Sequence, residues 1–159
     1  VYGWGLNNVG QLAQGDAFPE FTPARITLPA PAVAIAAGRS HSLAVLDDGR
    51  VYAWGDNGSG QLGDGSRVAF ALTAQPVPGI DNAVDVAAGT QHSLALLADG
   101  SVLAWGSNAS GQLGDGTFVR RRTPVDTGAR AVSRIRAGGN LSLAITEERI
   151  LLAWGENSD

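Results

Sequence analysis

Three features of the sequence predict an all-β fold, a β-propeller present in part. A motif recurs about every 50 residues, short β-favouring runs are joined by Asp-Gly, and those runs are apolar on both faces. The motif reads WGLNNVGQLAQG from Trp4 to Gly15, WGDNGSGQLGDG from Trp54 to Gly65 and WGSNASGQLGDG from Trp105 to Gly116. A shortened copy, WGENSD, begins at Trp154. Self-similarity at this period marks architectures in which each unit buries its apolar faces against its neighbours. The chain therefore reads as one partial propeller over 1–159, with repeats at 1–50, 51–101 and 102–151 and the start of a further one at 152–159.

Each repeat is expected to supply four short antiparallel strands. A first strand falls at Val33–Ala36, Val84–Ala87 and Val132–Ile135. A hairpin follows: Leu43–Leu46 joins Val51–Trp54 through Asp48-Gly49, and Leu94–Leu97 joins Val102–Trp105 through Asp99-Gly100. Asp-Gly between apolar runs is a strong hairpin signal, suited to a type I′ turn with positive φ at both central residues. Glu147-Glu148-Arg149 replaces it in the third copy and predicts a looser turn or one of another type. Within the hairpin, Leu43 and Val45 point one way and Ala44 and Leu46 the other, so both faces are apolar and the sheet should lie between two others. The small residues before each Trp (Gly3, Ala53, Ala104 and Ala153) fit a close approach to the adjacent sheet. A fourth strand is placed near Ala24–Thr27, Pro76–Pro78 and Pro124–Asp126, where proline confines it to an edge.

Composition narrows the function. A net charge of -4 disfavours non-specific nucleic-acid binding, which needs a basic surface to displace counterions. With Cys 0 there is neither a disulfide framework nor thiolate-bound zinc. No apolar run is long enough for a membrane helix, so no membrane insertion is expected and the chain should be soluble, either cytoplasmic or secreted. The chain opens on Val1 in mid-pattern and is expected to be a piece of a longer one.

The motifs WGxNxxGQLGDG, AAGxxHSLAL and DGxVxAWG together resemble the repeat of the regulator of chromosome condensation family. The resemblance covers three full periods. It departs from the pattern at Ala13-Gln14, at Leu141 where the other copies have His, and at the third hairpin turn. The resemblance implies a ring-shaped propeller, of which this chain would supply about three blades. The ring would be completed by the remaining blades of a longer chain or by self-association. The lack of a convergent catalytic set, the repeat architecture and the variable residues of one face point to a non-enzymatic scaffold whose blade-end loops meet a protein partner. The alternative, implied by the resemblance, is guanine-nucleotide exchange on a small GTPase, the activity known for the eukaryotic family member.

Candidate residues divide in two. Trp4, Trp54, Trp105 and Trp154, with Gly10, Gly60 and Gly111, recur at fixed places in the motif and are expected to be structural, the Trp packing between blades. Asp56, Asn57, Ser59 and Asp64 bring carboxylates and amides into a Gly-rich loop, but they miss the EF-hand spacing and the next copy has Ser107 in place of Asp56. No metal and no cofactor are expected. His41 and His92, the two histidines, stand on separate repeats with no nucleophile at catalytic spacing, so no catalytic residue is assigned. Arg120-Arg121-Arg122 falls in a connection of variable length and reads as a solvated loop. Arg39, His41, Thr90, Gln91, His92 and Asn140 form the segment whose identity changes most within a rigid frame, and they are the candidate partner-binding face.

Overall fold

A computed structural model describes residues 1–157; Ser158 and Asp159, the tail of the shortened motif and of the repeat expected at 152–159, lie outside the described residues. The described chain is all-β. Strands β1 (Tyr2–Gly5) and β2 (Glu20–Arg25) form a two-stranded sheet. Blade I follows as β3 (Ala32–Ala37), β4 (His41–Leu46), β5 (Val51–Asp56) and β6 (Phe70–Pro76), paired antiparallel in that order. Blade II repeats it with β7 (Ala83–Ala88), β8 (His92–Leu97), β9 (Val102–Gly106) and β10 (Arg121–Asp126). Blade III holds β11 (Val132–Gly138), β12 (Leu141–Thr146) and β13 (Leu151–Gly155). No described helix is long and apolar enough to cross a membrane.

The apolar character of both strand faces has a direct cause in the stacking of the sheets. Leu43 and Val45 pack toward blade II with Leu62, Val86 and Trp105, while Ala44 and Leu46 pack the other way with Ile26 and Trp54. Leu94, Leu96 and Ala104 do the same between blades II and III, against Leu113, Ile135 and Ala144. Each interface is apolar along these positions, so a polar residue replacing Leu43, Val45, Leu94 or Leu96 would lose its water without gaining a partner.

The hairpin turns correct the sequence expectation. Gly49 N–H donates to the Leu46 carbonyl at 3.0 Å and Leu46 N–H to the Arg50 carbonyl at 2.9 Å. Within this loop only Gly49 has positive φ, at 82°. The connection is thus a three-residue loop, a type I turn closed by a left-handed residue, and not the two-residue type I′ form. Blade III keeps the same geometry instead of loosening it. Arg149 N–H donates to the Thr146 carbonyl at 2.9 Å, and Arg149 takes the glycine's place at φ 65°. Pairing of β12 with β13 on both sides of the loop imposes that conformation, at a cost of about 1 kcal/mol for a side chain in the left-handed region.

The outer strands begin earlier than the prolines suggest. Their pairing breaks and resumes, with a register shift between Gly3 and Gly5 opposite β2, between Ala53 and Gly55 opposite β6, and between Arg121 and Val125 in β10. Pro23 and Pro124 sit in the interrupted stretches, where no ladder donor is required. The carbonyls freed there are met from the preceding blade: Gly15 N–H donates to Leu72 and Gly65 N–H to Arg122, both at 2.9 Å. The first two motif loops therefore lock onto the outer strand of the next sheet.

Candidate functional site

The motif and the HSL segment meet across each blade interface at one main-chain atom. Trp105 Nε1 donates to the Gln61 carbonyl at 2.8 Å, and Ser93 Oγ donates to the same oxygen at 2.7 Å. Trp54 and Ser42 converge on the Gln11 carbonyl, and Trp154 and Ser142 on the Gln112 carbonyl, in the same way. Trp54 and Trp105 are buried, whereas Trp4, with no Gly-Gln-Leu loop before it in this sequence, is 62% exposed. The Ser–Gln carbonyl contact is an inter-blade bond that reading the sequence missed. Its signal was the Ser after each His or Leu, present in all three copies.

The histidines extend this contact by one step. His41 Nε2 lies 3.0 Å from Ser93 Oγ and His92 Nε2 lies 2.9 Å from Ser142 Oγ. Since each serine spends its proton on the Gln carbonyl, its oxygen receives the proton of Nε2, which fixes the neutral tautomer. Nδ1 is then a bare lone pair, and in both rings it is buried without a partner. Burial drives both pKa values from 6.5 down to about 4, with the charge of His92 adding repulsion at His41. The glycine ahead of each ring is required by close approach: a Cβ on Gly38 would stand 2.6 Å from His41 Nδ1.

His41 and His92 are 1% and 0% exposed, so they hold blades together and offer no side chain to a partner. Arg39 and Gln91 are exposed, and Thr90 and Asn140 half-buried, on the turns that join the first two strands of blades I, II and III. Their backbone is rigidly held. Asp56 N–H donates to the Ser40 carbonyl, Ser107 N–H to Gln91 and Glu156 N–H to Asn140, at 2.8, 2.8 and 3.0 Å. Thr90 N–H reaches across to the Gly139 carbonyl at 2.8 Å and ties two neighbouring turns together. Asn140 Nδ2 donates to Glu156 Oε2 at 3.0 Å. The result is a face of outward polar side chains on an immobilised frame.

The motif loops consume their own polar groups. Asn57 Oδ1 accepts from Leu62 N–H at 3.2 Å, and its Nδ2 donates to Asp64 Oδ1 at 3.2 Å. Asn7 and Asn108 serve the same loops in the other copies. Asp115 works against its own burial, but hydrogen bonds from Thr117, Arg121 and Asn108 outweigh that and hold its pKa down at about 2. Among the described residues no group of three or more His, Cys, Asp or Glu could hold a metal ion. Arg121 pairs with Asp115 at 2.8 Å, while Arg120 and Arg122 lean onto the loop of blade I.

Comparison with known proteins gives the same repeat. The profile of the Regulator of chromosome condensation (RCC1) repeat matches residues 1–45, 48–96 and 99–145. The chain is 36% identical to the human (Homo sapiens) probable E3 ubiquitin-protein ligase HERC6 over 99% of its own length and 16% of that protein's. It is 30% identical to the ultraviolet-B receptor UVR8 of Arabidopsis thaliana, over all of this chain and 38% of the receptor. Among solved structures, human WBSCR16 superposes with a TM-score of 0.84 at 25% identity, covering 97% of this chain and 42% of that one. Yeast RCC1 (Prp20), solved bound to Kap60, superposes with a TM-score of 0.82 at 25% identity, covering 97% and 39%. The chain thus spans less than half the length of each of these proteins.

Proposed function

The chain belongs to the regulator of chromosome condensation repeat family, and from that membership we propose that it is a non-enzymatic scaffold that binds a protein partner on the face carrying Arg39, Thr90, Gln91 and Asn140. The observation that carries the reading is the contrast within one turn. Gln91 is exposed on a backbone pinned by Ser107 and, through Thr90, by Gly139, while its neighbour His92 is 0% exposed and engaged with Ser142. In blades I and II the His side chain faces inward while the residues before it, which differ between copies, face outward, which suits recognition by surface complementarity. A fixed frame also spares the partner the entropy of ordering loops on binding. Yeast RCC1 (Prp20), to which the chain is similar in fold, is itself solved with a protein partner, Kap60.

The test uses partners recovered by affinity purification with the intact chain. Arg39→Ala, Gln91→Ala and Asn140→Ala combined should raise the dissociation constant by roughly tenfold or more while leaving the thermal midpoint in place. Unchanged affinity for every partner removes the face from consideration. The second reading, guanine-nucleotide exchange on a small GTPase, rests on the likeness to yeast RCC1 (Prp20). Acceleration of GDP release from a Ran-like GTPase by the chain would favour it, and no acceleration would remove it.

A further inference from the structure

We propose that the outer rim between blades I and II is a second docking surface, separate from the turn face, that takes an acidic peptide segment carrying a bulky apolar residue. Val68 and Phe70, at the entry to β6, are 63% and 43% exposed. The outer part of blade I is flanked by the β1–β2 sheet on one side and by blade II on the other, and these side chains stay open there. Beside them a groove of about 280 Å³ lies between β6 and the motif loop, with Leu62, Val68, Phe70 and Leu72 in its walls.

Three arginines stand around this groove, whose own lining carries one carboxylate, Asp64. Arg67 adjoins Val68 in sequence, and two arginines reach over from blade II: Arg120 Nη1 donates to the Gly58 carbonyl at 3.3 Å and Arg122 Nη1 to the Ser66 carbonyl at 3.0 Å. Asn57 N–H donates to the Ala69 carbonyl at 2.7 Å, so Gly58 and Ser66 both abut the segment bearing Val68 and Phe70. Among the described residues, ion pairs are formed by Arg50, Arg121, Arg130 and Arg136, and none by Arg67, Arg120 or Arg122. Of the nearby acids, Asp115 is paired with Arg121, while Asp56 bonds to Gln61 and Gly58 and Asp64 to Asn57 and Ser66, all neutral groups, so three arginines stand against two carboxylates.

Arg67, Arg120 and Arg122 are three of the seven arginines outside these ion pairs, and here they cluster beside exposed apolar side chains on a chain of net charge -4. A segment rich in carboxylates is repelled by most of this surface and drawn to the rim. There an arginine fork can hold a carboxylate by two parallel bonds, and an apolar side chain gains by leaving water in the groove.

The experiment is selection of a random dodecapeptide phage library on the intact chain, followed by fluorescence polarisation with the enriched peptides. The expected result is enrichment of Asp and Glu flanking Phe, Leu or Trp. Affinity should then fall roughly tenfold or more in Arg67→Glu with Arg120→Glu, fall again in the separate variant Val68→Ser, and stay unchanged in Arg39→Ala with Gln91→Ala. The proposal is overturned if no peptide is enriched, if the enriched peptides lack acidic residues, or if a duplex oligonucleotide binds the rim more tightly than they do. It is also overturned if binding is lost only in the Arg39→Ala with Gln91→Ala variant, an outcome that leaves the turn face standing.

Discussion

The Gln61 carbonyl accepts one hydrogen bond from Ser93 and one from Trp105, so both of its lone pairs are spent on the following blade. His41 completes the set by donating to Ser93. Replacing Ser93 with Ala strands the His41 Nε2–H in a dry interface and takes one donor from the carbonyl. The expected loss is about 1–3 kcal/mol, read as a lower urea midpoint at unchanged slope. The histidines also set an acid response. Unfolded, they titrate near 6.5; folded, at about 4. Between those values the unfolded chain binds protons that the folded chain refuses, so stability is complete above pH 6.5 and declines as the pH falls toward 4. The decline should be on the order of 3 kcal/mol per histidine. Thermal midpoints measured across this window should fall steeply for the native chain and stay nearly flat for His41→Leu with His92→Leu. Leu141 already occupies the corresponding place in blade III. Asp115 acts in a lower window: its contribution is present above its ordinary value of 3.8 and is lost as the pH falls through about 2.

The hairpins and the motif loops are held by local turns and by contacts one blade away, and the two kinds of restraint were unequally legible in the sequence. The strands β3, β4 and β5 and their counterparts follow from short β-favouring runs, apolar on both faces and bounded by Gly and Asp-Gly, which act within a few residues. Turn type did not follow, because Asp-Gly suits both a two-residue I′ loop and a three-residue loop ending in a left-handed glycine. The pairing of Leu46 with Arg50 decides between them. The place of His41 was also hidden, since its partner Ser93 belongs to another blade and nothing local distinguishes an inward from an outward ring. The Gln carbonyls were least visible, because a main-chain acceptor leaves no side-chain signature. Gly10 illustrates the restraint between units: at φ 82°, an added Cβ would meet the Ala71 carbonyl at 2.6 Å and the Leu72 Cα at 2.7 Å. Gly10→Ala should therefore cost more than about 1 kcal/mol, seen as a lowered thermal midpoint. Ala13, at φ 52°, packs beside Trp54 without such a backbone clash being forced on β6, so Ala13→Gly should change the midpoint far less.

Stacked side by side, the sheets bury the interfaces between them and leave two apolar flanks. On one side Tyr2, Trp4, Val33 and Ile35 are 62%, 62%, 63% and 62% exposed, and on the other Leu151 is 64% exposed beside Ile145. Flanks of this kind, with unpaired strand edges, favour association. The chain alone should show an average mass by light scattering that rises above the monomer with concentration, and Ile35→Glu with Leu151→Glu should suppress the rise. A native chain that stays monomeric at every concentration would refute this. Between the flanks, the frame keeps its conformation while the turns present Arg39, Gln91 and Asn140, which is the basis for reading the molecule as a protein-binding scaffold. Hydrogen–deuterium exchange of the chain with and without a purified partner tests that reading at the backbone itself. Protection on binding should appear at the turns 38–40, 89–91 and 138–140; protection confined instead to the opposite hairpin turns, 47–50 and 98–101, would show that the partner-binding face had been misplaced.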